Sequence, residues 1–222
     1  MNRKIILLVL SDILILSSFG LIAPIFAIFI IGIEGGNLIT AGIATGIFLI
    51  VRSTAQFPLS RFLIDKHRHK SRLLLVGTAL IVLVPFIYIL AEDVYILFIA
   101  QAIYGLGTAF AYPSWFSLFT MYMDKRHRGL EYSFWSAGVG GGGALAAFFG
   151  ATIAENFGFI QLFFVVGSIA LLGFFILIFL DRIETRDIRK ELSLKRKKER
   201  EEAKKQKSFE KAKKIVQRKA MH

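Results

Sequence analysis

The chain has 222 residues, of which 55% are hydrophobic, and its mean hydropathy is +0.60. A soluble domain of this size cannot bury so much apolar surface, so the composition excludes an ordinary soluble protein. The formal net charge is +12, and the sequence contains no cysteine, which excludes disulfides and thiol chemistry.

Six apolar runs follow one another along the chain, each long enough to form a helix that crosses the hydrocarbon core of a bilayer. They cover residues 5–33, 38–63, 73–90, 94–123, 130–154 and 159–180. Backbone groups inside lipid need internal hydrogen-bond partners, so each run is predicted to be a helix. We predict an all-α membrane protein with a six-helix transmembrane bundle at 1–181 and a basic cytoplasmic tail at 182–222.

Charge in the connecting loops predicts the orientation of the bundle. Lys and Arg collect at positions 3–4, 61–72 and 125–128 and in the tail, whereas the alternate loops hold Glu34, Glu92, Asp93 and Glu155 without a basic residue. Basic residues concentrate in cytoplasmic loops. We therefore expect both termini in the cytoplasm of a cell whose plasma membrane holds this multi-pass protein.

The tail carries most of the charge. Residues 182–222 have a net charge of +10 out of the total of +12, and they are rich in good helix formers. Such a segment next to a membrane helix is typical of a solvated arm or of one attracted to anionic lipid. Contact with nucleic acid is the less favoured interpretation.

Polar side chains are unevenly distributed among the runs. The third and sixth runs have the fewest, so we predict that they face lipid while the other four surround something polar. On the fourth run the polar and aromatic residues share one helical face, which indicates either helix–helix hydrogen bonding or the wall of a cavity. These residues are Gln101, Tyr104, Thr108, Tyr112 and Trp115.

Two charges lie inside apolar runs, Asp12 in the first and Arg52 in the second. A charge at this depth is costly and usually marks a pathway, a relay or an ion pair. The two side chains could reach each other, so either a functional pathway or a purely structural pair remains open. We expect Asp12 and Arg52, together with Gln101, Tyr104, Thr108, Tyr112 and Trp135, to line a substrate or ion pathway.

The fifth run is rich in glycine. Gly138, Gly142, Ala146 and Gly150 recur every four residues and form a smooth stripe where another helix can approach closely. No strand precedes this segment and no Lys-Ser/Thr pair follows it, so it is not a phosphate-binding loop. The four histidines lack ligand spacing and no nucleophile–base set is present, so we expect no metal, no cofactor and no enzymatic activity.

The loop between the second and third runs resembles a signature of the major facilitator superfamily of transporters. That signature combines spaced glycines with an acidic residue and several basic ones. Asp65, Lys66 and Lys70 match it, whereas Arg61 and Arg68 stand where the family has glycine. The resemblance covers residues 1 to about 181.

Two further segments carry the same resemblance. Gly105 and Gly107 fit the fourth-helix signature, with Gln101 at the position of the family's arginine. The fifth run is similar to the antiporter motif in the spacing of its small residues, with Gly143 in place of the motif's proline. The matching positions are Gly129, Gly138, Gly142 and Gly143.

The resemblance implies one half of a transporter built from two six-helix bundles, in which helices one and four line a central cavity. We expect a parallel homodimer that moves a small solute by alternating access, with Asp12 as the proton-responsive group of an export antiporter. We also expect the 138–150 stripe or the fourth-run face to contact the second copy. The alternatives are one half of a split heteromeric transporter and a non-transporting membrane adaptor that acts through its basic tail.

Overall fold

The structure is a computed structural model that describes residues 2–61 and 70–219, with side chains throughout these ranges except at 191, 197–200 and 203–219. The described chain is helical and contains no strand longer than a single bridge between Glu34 and Asp93. Six of its helices are long and apolar enough to cross a membrane, which confirms the predicted fold class. The first five spans are Arg3–Ile31, Leu38–Leu59, Lys70–Ile89, Val94–Tyr122 and Arg128–Phe157, and the sixth begins the helix Phe159–Lys219.

The described chain forms two compact units, Met1–Asp181 and Arg182–His222. The first unit holds the packed helices and all the cavities described below. The second is the continuation of the last helix, which ends at Lys219.

The first span is broken near its middle. An α-helix runs from Arg3 to Gly20, a single 3₁₀ turn covers Ala23–Ile25, and a short α-helix covers Phe26–Ile31. Pro24 has no N–H, so the carbonyl of Gly20 lacks its regular helical donor four residues later. Uniform apolarity over residues 5–33 predicted one continuous run and concealed this break.

Polar caps define where the apolar helices begin. Asn37 Oδ1 accepts the N–H of Thr40 at 2.9 Å, and Asp93 Oδ1 accepts the N–H groups of Tyr95 and Ile96 at 2.9 and 3.0 Å. These contacts satisfy donors that the first helical turn leaves open. Short connections therefore join long spans without leaving their backbone ends unpaired.

A compact turn joins the fourth and fifth spans. The buried Glu131 carboxylate accepts the N–H of Asp124 at 3.0 Å, which ties the start of the fifth span to the end of the fourth. The N–H of Arg126 donates to the Asp124 carboxylate, and His127 contacts it at 3.1 Å. Both contacts favour the ionised form, so they lower the pKa of Asp124 below its ordinary value.

Glycines set the closest helix crossings in the bundle. A side-chain carbon at Gly138, Gly142 or Gly150 would overlap the first span, at the positions Ile13, Ser17 and Leu21 respectively. The prediction that this stripe contacts a second copy is wrong, because the first span of the same chain already occupies it. Carbons built at Gly129 and Gly143 meet nothing within 4 Å.

The two glycines of the fourth span serve two different neighbours. A carbon at Gly105 would lie 2.7 Å from the carbonyl oxygen of Phe48 in the second span, and one at Gly107 would lie 2.9 Å from the carbonyl oxygen of Gly77 in the third. Small residues that allow close backbone approach are a general device of membrane helix packing. Here they hold the fourth span between the second and third.

Burial differs sharply between spans. In the most apolar stretch of each span, 44% of the third is buried inside the bundle, 39% of the first, fourth and sixth, and only 11% of the second and fifth. That the third and sixth spans face lipid stays a prediction, since more than half of each apolar stretch is unburied in this unit. The third span has the highest burial because Gly77 and Gly107 bring it tightly against the fourth.

We predict that Gly150→Ala destabilises the bundle by about 1–3 kcal/mol, because the added methyl group would overlap the backbone of Leu21, which cannot rotate away. Gly141→Ala is the matched control in the same helix, since a carbon there meets nothing within 4 Å. Thermal unfolding in detergent should show a lower midpoint for Gly150→Ala alone. Equal midpoints for the two variants would contradict the crossing.

Candidate functional site

A cavity of about 380 Å³, open to the surface of the bundle, lies between the first, second, third and fourth spans. We call it the larger cavity, in contrast to the smaller one beside Asp12. Its walls include the broken part of the first span at Gly20 and Ala23, and Phe48 of the second. Gln101 and Tyr104 of the fourth span also line it. Its size falls within the range of roughly 300–1,000 Å³ that is usual for small-molecule sites.

A second cavity of about 100 Å³ lies beside the carboxylate of Asp12. Thr108 and Tyr112 of the fourth span and Trp135 of the fifth also line it. Leu16 lines both cavities, so its side chain lies between them. The predicted pathway residues are therefore distributed over two separate spaces rather than one.

Asp12 is held by an aromatic donor from the fifth span. Its Oδ2 accepts the Nε1–H of Trp135 at 2.7 Å, a short hydrogen bond to a carboxylate. The close crossing at Gly138 and Gly142 brings the fifth span near enough for this contact. Sequence analysis placed both residues in the pathway but did not join them.

Arg52 has different partners from those that the sequence suggested. Its guanidinium carbon lies 5.1 Å from the ring centre of Tyr112 and 6.0 Å from that of Phe48. Among the described residues no ion pair joins Arg52 to Asp12, so the proposed pairing is corrected. Cation–π contacts of this kind offer the charge an aromatic surface without a carboxylate.

The predicted face of the fourth span makes a series of different contacts. Gln101 Nε2 donates to the hydroxyl of Tyr88 at 3.1 Å, and Thr108 Oγ1 donates to the carbonyl of Tyr104 at 2.6 Å. The ring of Tyr104 stacks between Phe19 and Phe48, with ring centres 4.9 and 4.7 Å away. Both interpretations of this face hold, since it makes hydrogen bonds between helices and also lines the cavities.

Three residues of the site were not among the predicted pathway residues: Trp115, Phe19 and Phe48. Trp115 packs against Trp135 with ring centres 4.9 Å apart, and its buried indole N–H has no hydrogen-bond partner in the described part of the chain. The helical spacing of the fourth run placed Trp115 on the polar face but did not assign it to the pathway. Nothing in the sequence distinguished Phe19 and Phe48 from the other phenylalanines, which number 22 in all.

The structure describes only part of the motif predicted in the loop between the second and third spans. Asp65 and Lys66 lie outside the described residues, whereas Lys70 Nζ donates to Ser117 Oγ of the fourth span at 2.6 Å. Next to it, Ser71 Oγ donates to the Asp181 carboxylate at 2.5 Å. The residues that the structure describes contain no group of three or more His, Cys, Asp or Glu side chains that could hold a metal.

A cavity beside a broken first span, within a bundle of six apolar helices, places the chain in the class of helical membrane proteins. The sequence matches the family model described as Major Facilitator Superfamily over residues 8–221. The chain therefore belongs to this superfamily, whose members are transporters rather than enzymes. No curated protein matches the sequence.

The fold is similar to that of a solved transporter. The structure described as the in meso crystal structure of the POT family transporter PepTSo matches with a TM-score of 0.69 at 16% sequence identity. The match covers 83% of this chain but only 38% of that chain. At this identity the likeness concerns the fold, and the chain spans less than half the length of the larger protein.

We predict a coupling free energy of about 1.5–3 kcal/mol between Asp12→Ala and Trp135→Phe in a double-mutant cycle, because the pair shares a hydrogen bond to a charged group. The matched cycle between Asp12→Ala and Arg52→Gln should give a coupling within about 0.5 kcal/mol of zero. Unfolding in mixed micelles measures both. A larger coupling between Asp12 and Arg52 than between Asp12 and Trp135 would contradict this assignment and support an ion pair between Asp12 and Arg52.

Proposed function

We propose that the protein is a secondary active transporter that moves a small solute across the plasma membrane by alternating access. The larger cavity is the observation that carries this proposal. It opens beside the helix break at Pro24 and lies within a bundle of the superfamily fold. Discontinuous membrane helices at a binding cavity are a recurring arrangement in secondary transporters, because they place unpaired backbone groups at the site.

We propose further that two copies of the bundle form one transporter. The second and fifth spans are the least buried in the bundle, and the exposed side of the fifth carries small residues. These are Ser133, Ala137, Gly140 and Ala144. A second bundle packed on these spans would complete the walls of the cavity, and the 38% coverage of the solved transporter supports a two-bundle assembly.

The two copies share one orientation in this proposal. Basic loops alternate with acidic ones, so each copy inserts with both termini in the cytoplasm. A two-fold axis along the membrane normal then relates the copies and pairs the same surfaces.

The basic tail, residues 182–222, would lie at the cytoplasmic surface and be attracted to anionic lipid. Binding of the tail to anionic vesicles that weakens as salt is added would support this attraction.

Asp12 is proposed as the proton-coupling group. It is a carboxylate within the first span, it lines the smaller cavity, and it contacts a neutral donor rather than a basic one. An ionisable group at this depth is a candidate for a proton relay. Export by antiport follows from the motif of the fifth span alone, since the cavity geometry favours neither direction.

We predict that Ala144→Trp converts a dimer into a monomer, because a bulky side chain would replace a small one on the exposed side of the fifth span. Leu172→Trp is the control, since it places the same ring at an exposed position of the sixth span. Mass determination in nanodiscs should show a dimer for the wild type and for Leu172→Trp. A wild type that is strictly monomeric would contradict the paired assembly.

A mixed complex with another protein would instead support the split heteromeric transporter. Purification of the tagged chain from its native membrane, followed by mass determination, distinguishes the two assemblies. A homodimer gives twice the mass of the chain and no second polypeptide.

We predict that Asp12→Asn removes proton coupling while leaving the bundle folded, because asparagine keeps an oxygen that can accept from Trp135. Both tryptophans of the chain lie at the smaller cavity, so intrinsic fluorescence reports on Asp12. The wild-type emission should change with pH, and this change should be lost in Asp12→Asn and kept in Glu131→Gln. Proton-driven solute uptake by Asp12→Asn proteoliposomes at the wild-type rate would contradict the proposed role.

A further inference from the structure

The larger cavity has no charged wall. Its lining among the described residues contains no acidic, basic or histidine side chain, and the charges nearest to the site are placed elsewhere. Asp12 lines the smaller cavity on the other side of Leu16. Arg52 lines neither cavity, and its guanidinium carbon lies 6.0 Å from the ring centre of Phe48 in the cavity wall. A charged solute in this space would lose its hydration without a direct counter-charge from the side chains that line the cavity in this bundle, which is unfavourable at membrane depth.

Aromatic rings form much of the wall. Five of them line the cavity: Phe19, Phe26, Phe48, Tyr88 and Tyr104. Tyr104 stacks at interplanar angles of 8° and 24° with Phe19 and Phe48, so both faces of its ring are covered. A solute can therefore reach the outer rings and the hydroxyl edge of Tyr104. Ring contacts of this kind favour a flat, aromatic partner.

A few uncharged polar groups remain for a solute. Gln101 uses one N–H on the hydroxyl of Tyr88, which leaves its carbonyl oxygen as an acceptor and the Tyr88 hydroxyl as a donor. The Tyr104 hydroxyl makes no hydrogen bond to any described residue. The Gly20 carbonyl, which Pro24 deprives of its helical donor, is at the same wall. These groups match the donors and acceptors of an amide or a hydroxyl.

The geometry points to an uncharged, ring-bearing solute with a hydrogen-bonding substituent as the ligand of the larger cavity, separate from the protonatable site at Asp12. This inference rests on the proposed transport function and names its substrate class. Solute and proton then occupy two spaces divided by Leu16 and do not compete for one carboxylate. An acyl chain of the bilayer is the competing occupant of an apolar cavity, and it would need none of the polar groups.

A matched series of probes tests the charge of the ligand. Benzamide, benzylamine and benzoate share one ring, but at neutral pH they are neutral, cationic and anionic. Binding of tritiated benzamide to the full chain in nanodiscs, corrected with empty nanodiscs, should be saturable. Unlabelled benzylamine and benzoate should compete at least tenfold more weakly than unlabelled benzamide.

Two variants test the position of the site. Gln101→Leu removes the acceptor, and Tyr104→Phe removes only a hydroxyl while it keeps the ring stack. Each should weaken benzamide binding about fivefold, the effect of one lost hydrogen bond. Tyr95→Phe, at an exposed ring near the start of the fourth span, should leave binding unchanged. The melting temperature of each variant separates loss of the site from loss of the fold.

Three outcomes would overturn the inference. They are benzylamine or benzoate binding at least as tightly as benzamide, benzamide affinity that is unchanged in both Gln101→Leu and Tyr104→Phe, and no saturable binding above empty nanodiscs. The last outcome would assign the cavity to lipid. Saturable benzamide binding without proton-driven uptake would contradict the coupling at Asp12 but leave this inference standing, so the two failures are distinguishable.

Discussion

The close crossing of the first and fifth spans is the contact on which the rest of the bundle depends. Gly138, Gly142 and Gly150 lack the side chains that would keep the two helices apart. The backbones of the two helices therefore approach each other closely at these positions. The approach brings Trp135 to Asp12 at 2.7 Å. It thereby places Trp135 in the wall of the smaller cavity. It also covers a surface that small residues would otherwise offer to another molecule.

The division of the interior into two cavities follows from side chains on one helix. Leu16 stands one helical turn from Asp12 and faces both spaces, so the apolar wall of the larger cavity is continuous up to the carboxylate. Electrostatic interactions across an apolar side chain such as Leu16 are stronger than the same interactions across water. A change in the charge of Asp12 therefore acts on the neighbouring cavity without a direct contact.

The number and type of the helices were predictable from the sequence, because crossing hydrocarbon imposes length and apolarity on every span. The partners of Asp12 and Arg52 were not, since helical spacing locates a residue on its own helix and not relative to another. The sequence did not identify Phe19 and Phe48 as cavity residues, because phenylalanine occurs both on lipid-facing surfaces and in cavity walls. The tight packing of the third span on the fourth was not predictable either, because the close approach at Gly77 does not change the polarity of the run.

The break at Pro24 has a mechanical consequence for the bundle. Residues 5–15 of the first span belong to one apolar cluster, with Trp115 and Leu118, and residues 21–30 belong to another, with Tyr88 and Phe163. At the break the N–H groups of Leu21, Ile22 and Ile25 reach back only three residues, and the Gly20 carbonyl has no donor four residues later. Tilting one part of the first span against the other therefore costs less regular hydrogen bonding than it would in a continuous helix, and it does so where the span borders the larger cavity.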